Sequence, residues 1–318
     1  MKKLILFTLC LLLLSSCGNK EVYNKVESSV KVDRIKNMDS HNKISDKLLN
    51  SEFIGNLDKD NINILKDNVG FIYNSKSDEL IPVDNGYSPY DVNNDKSLLY
   101  KIDDSYFKEL VVKGKNDSRK INFEKHVSDA KLSKDKVYAV KIEDSSQVKF
   151  FKGNIFEEKN GTLEDTKKQG KLLRSNDDVY YCAYENNKLT VKDMNDKEIF
   201  SREMNENQIP LDMTMYDNDV IYSVFDSKEN KSYLYRNDKL ILKSELKNYQ
   251  DRLKPLKSAS KYVTWFDSKV VYNAKDNKIV YFENGTDDRM LVPVGEDVYG
   301  LKINNAIGVF NDKTVKFK

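Results

Sequence analysis

The stretch "DDVYYCAYENNKLTVKDMN", residues 177–195, decides the architecture. It opens on an acidic turn and runs through "VYYCAY", where odd and even positions alike are apolar or aromatic. A strand with that pattern must be covered on both faces. After a polar turn comes "KLTVKDM", which alternates more, as a strand half in solvent should. Six further stretches have the same plan: "NVGFIYNSKSDELIPVDN" (68–85), "DKSLLYKIDDSYFKELVVKGKN" (95–116), "DKVYAVKIEDSSQVKFFKGN" (135–154), "NDVIYSVFDSKENKSYLYRN" (218–237), "SKVVYNAKDNKIVYFEN" (268–284) and "EDVYGLKINNAIGVFND" (296–312). Each is a turn, a strand with a tyrosine near its start, a second turn and a second strand. Repeats of this kind mark a stacked or radial architecture.

The shared tyrosines are Tyr73, Tyr100, Tyr138, Tyr180, Tyr222, Tyr272 and Tyr299, spaced by 27, 38, 42, 42, 50 and 27 residues. These spacings centre on the roughly 40–45 residues of a propeller blade. Short apolar stretches precede five of the copies: "SPYDV", "DAKL", "KLLR", "LDMTMY" and "YVTWF". They are expected to form the innermost strand of each blade. Radially packed sheets, covered by neighbours near the centre and wetter at the rim, explain the gradient from "VYYCAY" to "KLTVKDM". The pattern over residues 61–318 resembles the TolB-like and WD-repeat β-propellers of exported bacterial proteins, although the Gly-His and Trp-Asp dipeptides of WD repeats are absent. The expectation is an all-β propeller of six or seven blades, each of three to four antiparallel strands, with the short terminal copies completing one another to close the ring.

The other end of the chain supplies an address. "MKKLILFTLCLLLLSSC" has two lysines, an apolar run from Leu4 to Leu14 broken by Thr8, and small residues Ser15 and Ser16 before Cys17. That order is a secretory signal, and the run is too short to span a bilayer, which needs about 20 residues. Leu14-Ser15-Ser16-Cys17 resembles the lipobox of bacterial lipoproteins. The resemblance implies cleavage between Ser16 and Cys17, removal of residues 1–16, and a diacylglycerol on Cys17. It places the mature protein on the outer face of the cytoplasmic membrane, or on the inner leaflet of an outer membrane where there is one. Residues 17–60, polar with scattered hydrophobes and His41, read as a flexible spacer, with the ordered domain starting near Asn61.

Charge narrows the partners. Losing Lys2 and Lys3 with the signal leaves 51 basic and 51 acidic residues, interspersed in sign. No basic field for nucleic acid is present, nor a polybasic second anchor for the membrane. Cys10 leaves with the signal and Cys17 is taken by lipid, so Cys182 is the remaining thiol, expected to be buried and inert within its strand. The two histidines, His41 and His126, are not at ligand spacing, and no metal or cofactor is expected. Carboxylates are plentiful but sit in turns such as "KIDDSY", "SNDDVY" and "YDNDVIY", where they bond the local backbone. Trp265, unique in the chain, lies on an expected inner strand and is a candidate for the channel mouth or a binding surface, against a core position. The functional expectation is a non-catalytic, lipid-anchored module binding a protein or polymer at the cell envelope. The alternatives are a carboxylate-dependent enzyme on carbohydrate or peptide, and a solute-binding lipoprotein of a transporter.

Overall fold

In a computed structural model of the chain, the residues described are 25–26, 29–35, 46–48, 51–57, 61–67, 69–74, those from 76 to 245 apart from short gaps of which 142–148 is the longest, 253–255, 262–265, 270–282, 290–293, 298–303, 306–311 and 314–317. The signal segment, Ser16, Cys17 and His41 lie outside them.

Among the described residues, twenty-eight strands form seven four-stranded antiparallel sheets in consecutive order. Their strands are lettered a to d from the centre outward. Blade 1 is Ser51–Asn56, Asn61–Lys66, Val69–Asn74 and Glu79–Pro82. Blade 2 is Ser88–Asn93, Lys96–Asp103, Tyr106–Lys113 and Ser118–Ile121. Blade 3 is Asp129–Ser133, Lys136–Lys141, Asn154–Lys159 and Thr162–Gln169. Blade 4 is Lys171–Ser175, Asp178–Glu185, Lys188–Asp193 and Glu198–Glu203. Blade 5 is Gln208–Tyr216, Asp219–Asp226, Lys231–Arg236 and Lys239–Glu245. Blade 6 is Leu253–Pro255, Tyr262–Trp265, Val270–Asn273 and Lys278–Phe282. Blade 7 is Met290–Pro293, Val298–Ile303, Ala306–Asn311 and Thr314–Phe317.

The a strands of blades 2 to 6 pack each against the next, and that of blade 7 packs against that of blade 1, closing the ring. Closure does not use a shared strand, contrary to the expectation from the short terminal copies: each blade's four strands are its own. The reason is a register error in the tyrosines. Tyr100, Tyr138, Tyr180, Tyr222 and Tyr299 lie on b strands, but Tyr73 and Tyr272 lie on c strands. Counted from the starts of the b strands, the spacings become 35, 40, 42, 41, 43 and 36, so no blade is short.

Hydrophobic layers lie between neighbouring blades rather than in one centre. Leu98, Leu110 and Val112 of blade 2 meet Ala130, Leu132 and Val137 of blade 3. Cys182, Leu189 and Val191 of blade 4 meet Met213, Met215 and Tyr222 of blade 5, and Phe151 from the long b–c connection of blade 3 reaches across into this layer. Turns are made largely by Asn and Asp: of the twelve described non-glycine residues with positive φ, ten are one or the other. Their short polar side chains tolerate the left-handed region that hairpin turns require. Asn186 and Asn187, with φ of 50° and 60°, form the two-residue connection between strands b and c of blade 4, where a turn with positive φ at both positions matches the strand twist.

The ordered unit begins before Asn61, since Ser51–Asn56 is the a strand of blade 1. Part of the expected spacer is also strand. Lys25–Val26 pairs antiparallel with the d strand of blade 5, and Lys31–Ile35 pairs parallel with the d strand of blade 6. Between them Val30, 6% exposed, plugs the layer formed by Ile221, Leu234, Ile241, Leu242, Tyr272 and Ile279. Burying a valine contributes about 1.5 kcal/mol, and the added strands satisfy edge groups that would otherwise face solvent.

Candidate interaction surface

Charged side chains join the blades in a recurring way. At the centre, Asp91 on the a strand of blade 2 accepts from the backbone N–H of Leu132 in blade 3 (2.8 Å) and from Arg174 Nη1 in blade 4 (2.8 Å). Arg174 also donates to the carbonyl of Val92 at 2.7 Å. One carboxylate thus ties three consecutive a strands together, and both partners are sealed from water. Burial pushes the Asp91 carboxyl above the usual carboxylate range, against the opposing pull of Arg174 and Lys131. Similar links recur where a strands end: Asn93 donates to the Leu132 carbonyl, Ser133 to that of Asp177, and Ser175 to that of Asp217.

At the rim, a cation on a d strand reaches onto the following blade. Arg119 of blade 2 makes a two-pronged pair with Glu158 of blade 3 at 2.8 and 2.9 Å. Lys168 of blade 3 pairs with Asp196 of blade 4 and lies over the Tyr181 ring. Arg202 of blade 4 donates to Tyr222 Oη of blade 5 and sits 3.9 Å from the centre of the Tyr235 ring. Burial raises the Tyr222 hydroxyl to about 12 even with Arg202 beside it, so it remains a neutral acceptor at neutral pH.

Two grooves open between these rims. One, of about 730 Å³ between blades 2 and 3, is lined by Phe123, Leu163, Phe156, Lys108, Lys120 and Asp165. The other, of about 670 Å³ between blades 3 and 4, carries Lys168, Lys188, Lys192, Glu185, Asp196 and Glu203. Both fall within the size range of binding clefts. The first offers partly buried rings with cations at its margin; the second is polar and mixed in sign. Interleaved charges of both signs suit a polypeptide segment better than a polyanion.

The candidates from the sequence are dispersed. Cys182 is buried and its thiol is pushed up to about 12 by burial, so it carries almost no thiolate at neutral pH. His126 is exposed and lies against Tyr106, with centroids 4.7 Å apart and planes tilted by 36°, on the connection from blade 2 to blade 3, whereas Cys182 is on the b strand of blade 4. Tyr262–Trp265 is the b strand of blade 6, with Leu253–Pro255 inside it. The expected inner strand at Trp265 is therefore one place further from the axis; its side chain is outside the described residues. The other four expected inner stretches all fall on a strands. Among the described residues no three His, Cys, Asp or Glu side chains are grouped as a metal would require. The grooves and rim cations escaped the sequence reading because they pair residues 20 to 39 positions apart on different blades, with no local motif.

No protein-family model matches the sequence, and no curated protein matches it. Solved structures do match in shape. Hsv2 of Kluyveromyces lactis is 11% identical with a TM-score of 0.51, over 84% of this chain and 96% of that one. Its form with loop 6CD replaced by a Gly-Ser linker is 12% identical at the same TM-score and coverage. The Swd1 propeller domain of Myceliophteria thermophila is 10% identical, with a TM-score of 0.47 over 82% and 99%. The chain is a β-propeller, similar in fold to WD40-like propellers.

Proposed function

We propose that this protein is an extracytoplasmic lipoprotein, held to a membrane by acyl chains on Cys17, whose propeller is a non-catalytic module binding an envelope protein or polymer through its inter-blade grooves. The observation that carries the reading is the conjunction of a signal segment ending in register at Cys17 with a rigid ring whose grooves display side chains but assemble no reactive pair. Asp91, whose carboxyl burial pushes up, is sealed in the centre. Asp196, which does face a groove, is held below the usual carboxylate range by Lys168 and Tyr181. A general acid needs the reverse, a raised carboxyl within reach of substrate. The solute-binding alternative depends on two α/β lobes, an architecture unlike the strand-only blades of this chain.

Two measurements test the proposal. Cells fed an alkyne fatty acid should label the wild-type protein but not Cys17→Ala, and the variant should leave the membrane fraction; retention and labelling of the variant would overturn the anchor. A photo-crosslinking residue at position 123, in the groove between blades 2 and 3, should give one dominant adduct in living cells, and the same residue at exposed position 81 should not. Indistinguishable adducts from both positions would overturn the groove as the binding surface.

A further inference from the structure

We propose that the ring stands edge-on to the membrane, with the outer edges of blades 5 and 6 turned to the lipid surface and blade 2 pointing away from it. The inference rests on acylation of Cys17. A long free spacer would let the propeller take any orientation, but the strap, the docked strands Lys25–Val26 and Lys31–Ile35, leaves little free length. Lys25–Val26 is already paired to the d strand of blade 5, and seven residues, eight Cα-to-Cα steps, separate Cys17 from Lys25. Even fully extended, that leash spans at most about 29 Å. The docking is specific in register. After Val30 enters its plug between blades 5 and 6, the Asn277 side-chain amide donates to the Ser29 carbonyl, and the Lys31 N–H donates to the Asn277 carbonyl, both at 3.1 Å. Lys31 and Val32 are then exposed on the outermost strand of blade 6, Val32 at 43%. A cation beside an uncovered aliphatic side chain suits a headgroup boundary.

In a ring of seven, blade 2 lies half a turn from the junction of blades 5 and 6. The grooves between blades 2 and 3 and between blades 3 and 4 then face away from the bilayer or sideways, open to a partner. The bilayer, reached through the chain's own lipid, is the occupant of the blade 5 and 6 rim.

The test uses the mature lipoprotein on phosphatidylethanolamine and phosphatidylglycerol vesicles that carry a headgroup dye as energy acceptor. A donor is placed by Lys239→Cys on the d strand of blade 5 or by Ser118→Cys on the d strand of blade 2, both exposed; Cys182, buried, does not compete for label. Four strands about 4.8 Å apart make each blade about 14 Å deep, so two blade depths and the channel separate the donors, and energy transfer from position 239 should exceed that from 118 at least about three-fold. Inserting about 30 Gly and Ser residues between Lys20 and Glu21 lengthens the leash beyond the ring's own width and should abolish the difference without touching a blade. Val30→Asp should do the same by releasing the strap. Equal transfer from the two donors, with the protein still floating on vesicles, would overturn the orientation alone. Failure to float, with no lipid on Cys17, would overturn the anchor and the orientation with it.

Discussion

Arg174→Met in the central clasp separates an electrostatic role from a packing one. The substitution keeps much of the volume and removes the guanidinium that bonds Asp91 and the Val92 carbonyl. Asp91, 2% exposed, then keeps the backbone N–H groups of Leu132 and Val92 and the more distant Lys131 against burial. Breaking a buried ion pair from one side costs about 3–5 kcal/mol, which at a urea dependence of about 3 kcal/mol per molar lowers the unfolding midpoint by at least about 1 M. The sign with pH follows from the direction of the Asp91 shift. Burial already raises its folded value above the unfolded one, so this group supports the fold most when protonated and support falls as pH rises towards the folded value. Without Arg174 that value climbs further. On acidification the variant therefore protonates Asp91 before the wild type does, and its deficit shrinks by about 1.4 kcal/mol per pH unit between the two folded values. Urea curves at pH 7.5 and 5.0, followed by circular dichroism on the Cys17→Ala protein, measure this. Asp91→Asn combined with Arg174→Met should abolish the pH dependence of the deficit. A deficit equal at both pH values would refute the claim that Arg174 neutralises Asp91.

Gly170, with φ of +154°, leads from blade 3 into blade 4, and a Cβ there would lie 2.4 Å from the Cys182 carbonyl oxygen. Gly170→Ala should cost about 2–3 kcal/mol through backbone strain and lower the melting temperature by at least about 5 °C, read by calorimetry; an unchanged melting temperature would show that the turn relaxes freely. Cys182, its thiol raised to about 12, should resist a disulfide reagent for hours at pH 8 in the native protein and react fully in urea. Rapid native reaction would show that the layer between blades 4 and 5 opens.

The sequence exposed the fold because a propeller strand covered on both faces differs visibly from one at the rim. It could not tell a b strand from a c strand, since both are interior to the blade and both carry a tyrosine whose hydroxyl reaches the same c–d turn. Tyr222 on a b strand donates to the Asn237 carbonyl, whereas Tyr73 and Tyr272 on c strands donate to Asp78 and Asn277. That ambiguity produced the spacings of 27 and 50 and the misplaced inner strand at Trp265. The strap was illegible for another reason. Strand addition is held mainly by backbone hydrogen bonds, so Lys25–Val26 and Lys31–Ile35 need no alternating pattern, and one buried valine looks like a chance hydrophobe in a polar segment. The grooves carry no local signature either, because their walls come from two blades.

Because each blade is made of its own consecutive strands, a blade can form as soon as its d strand is available. The strap cannot. Lys31 pairs opposite Lys278, and Lys25 opposite Lys243, so this early segment must wait for more than two hundred residues before its sites exist. Long-range closure of that kind is slow. The strap, first in sequence, is then among the last elements to settle, and Val30 is seated only when blade 6 is complete.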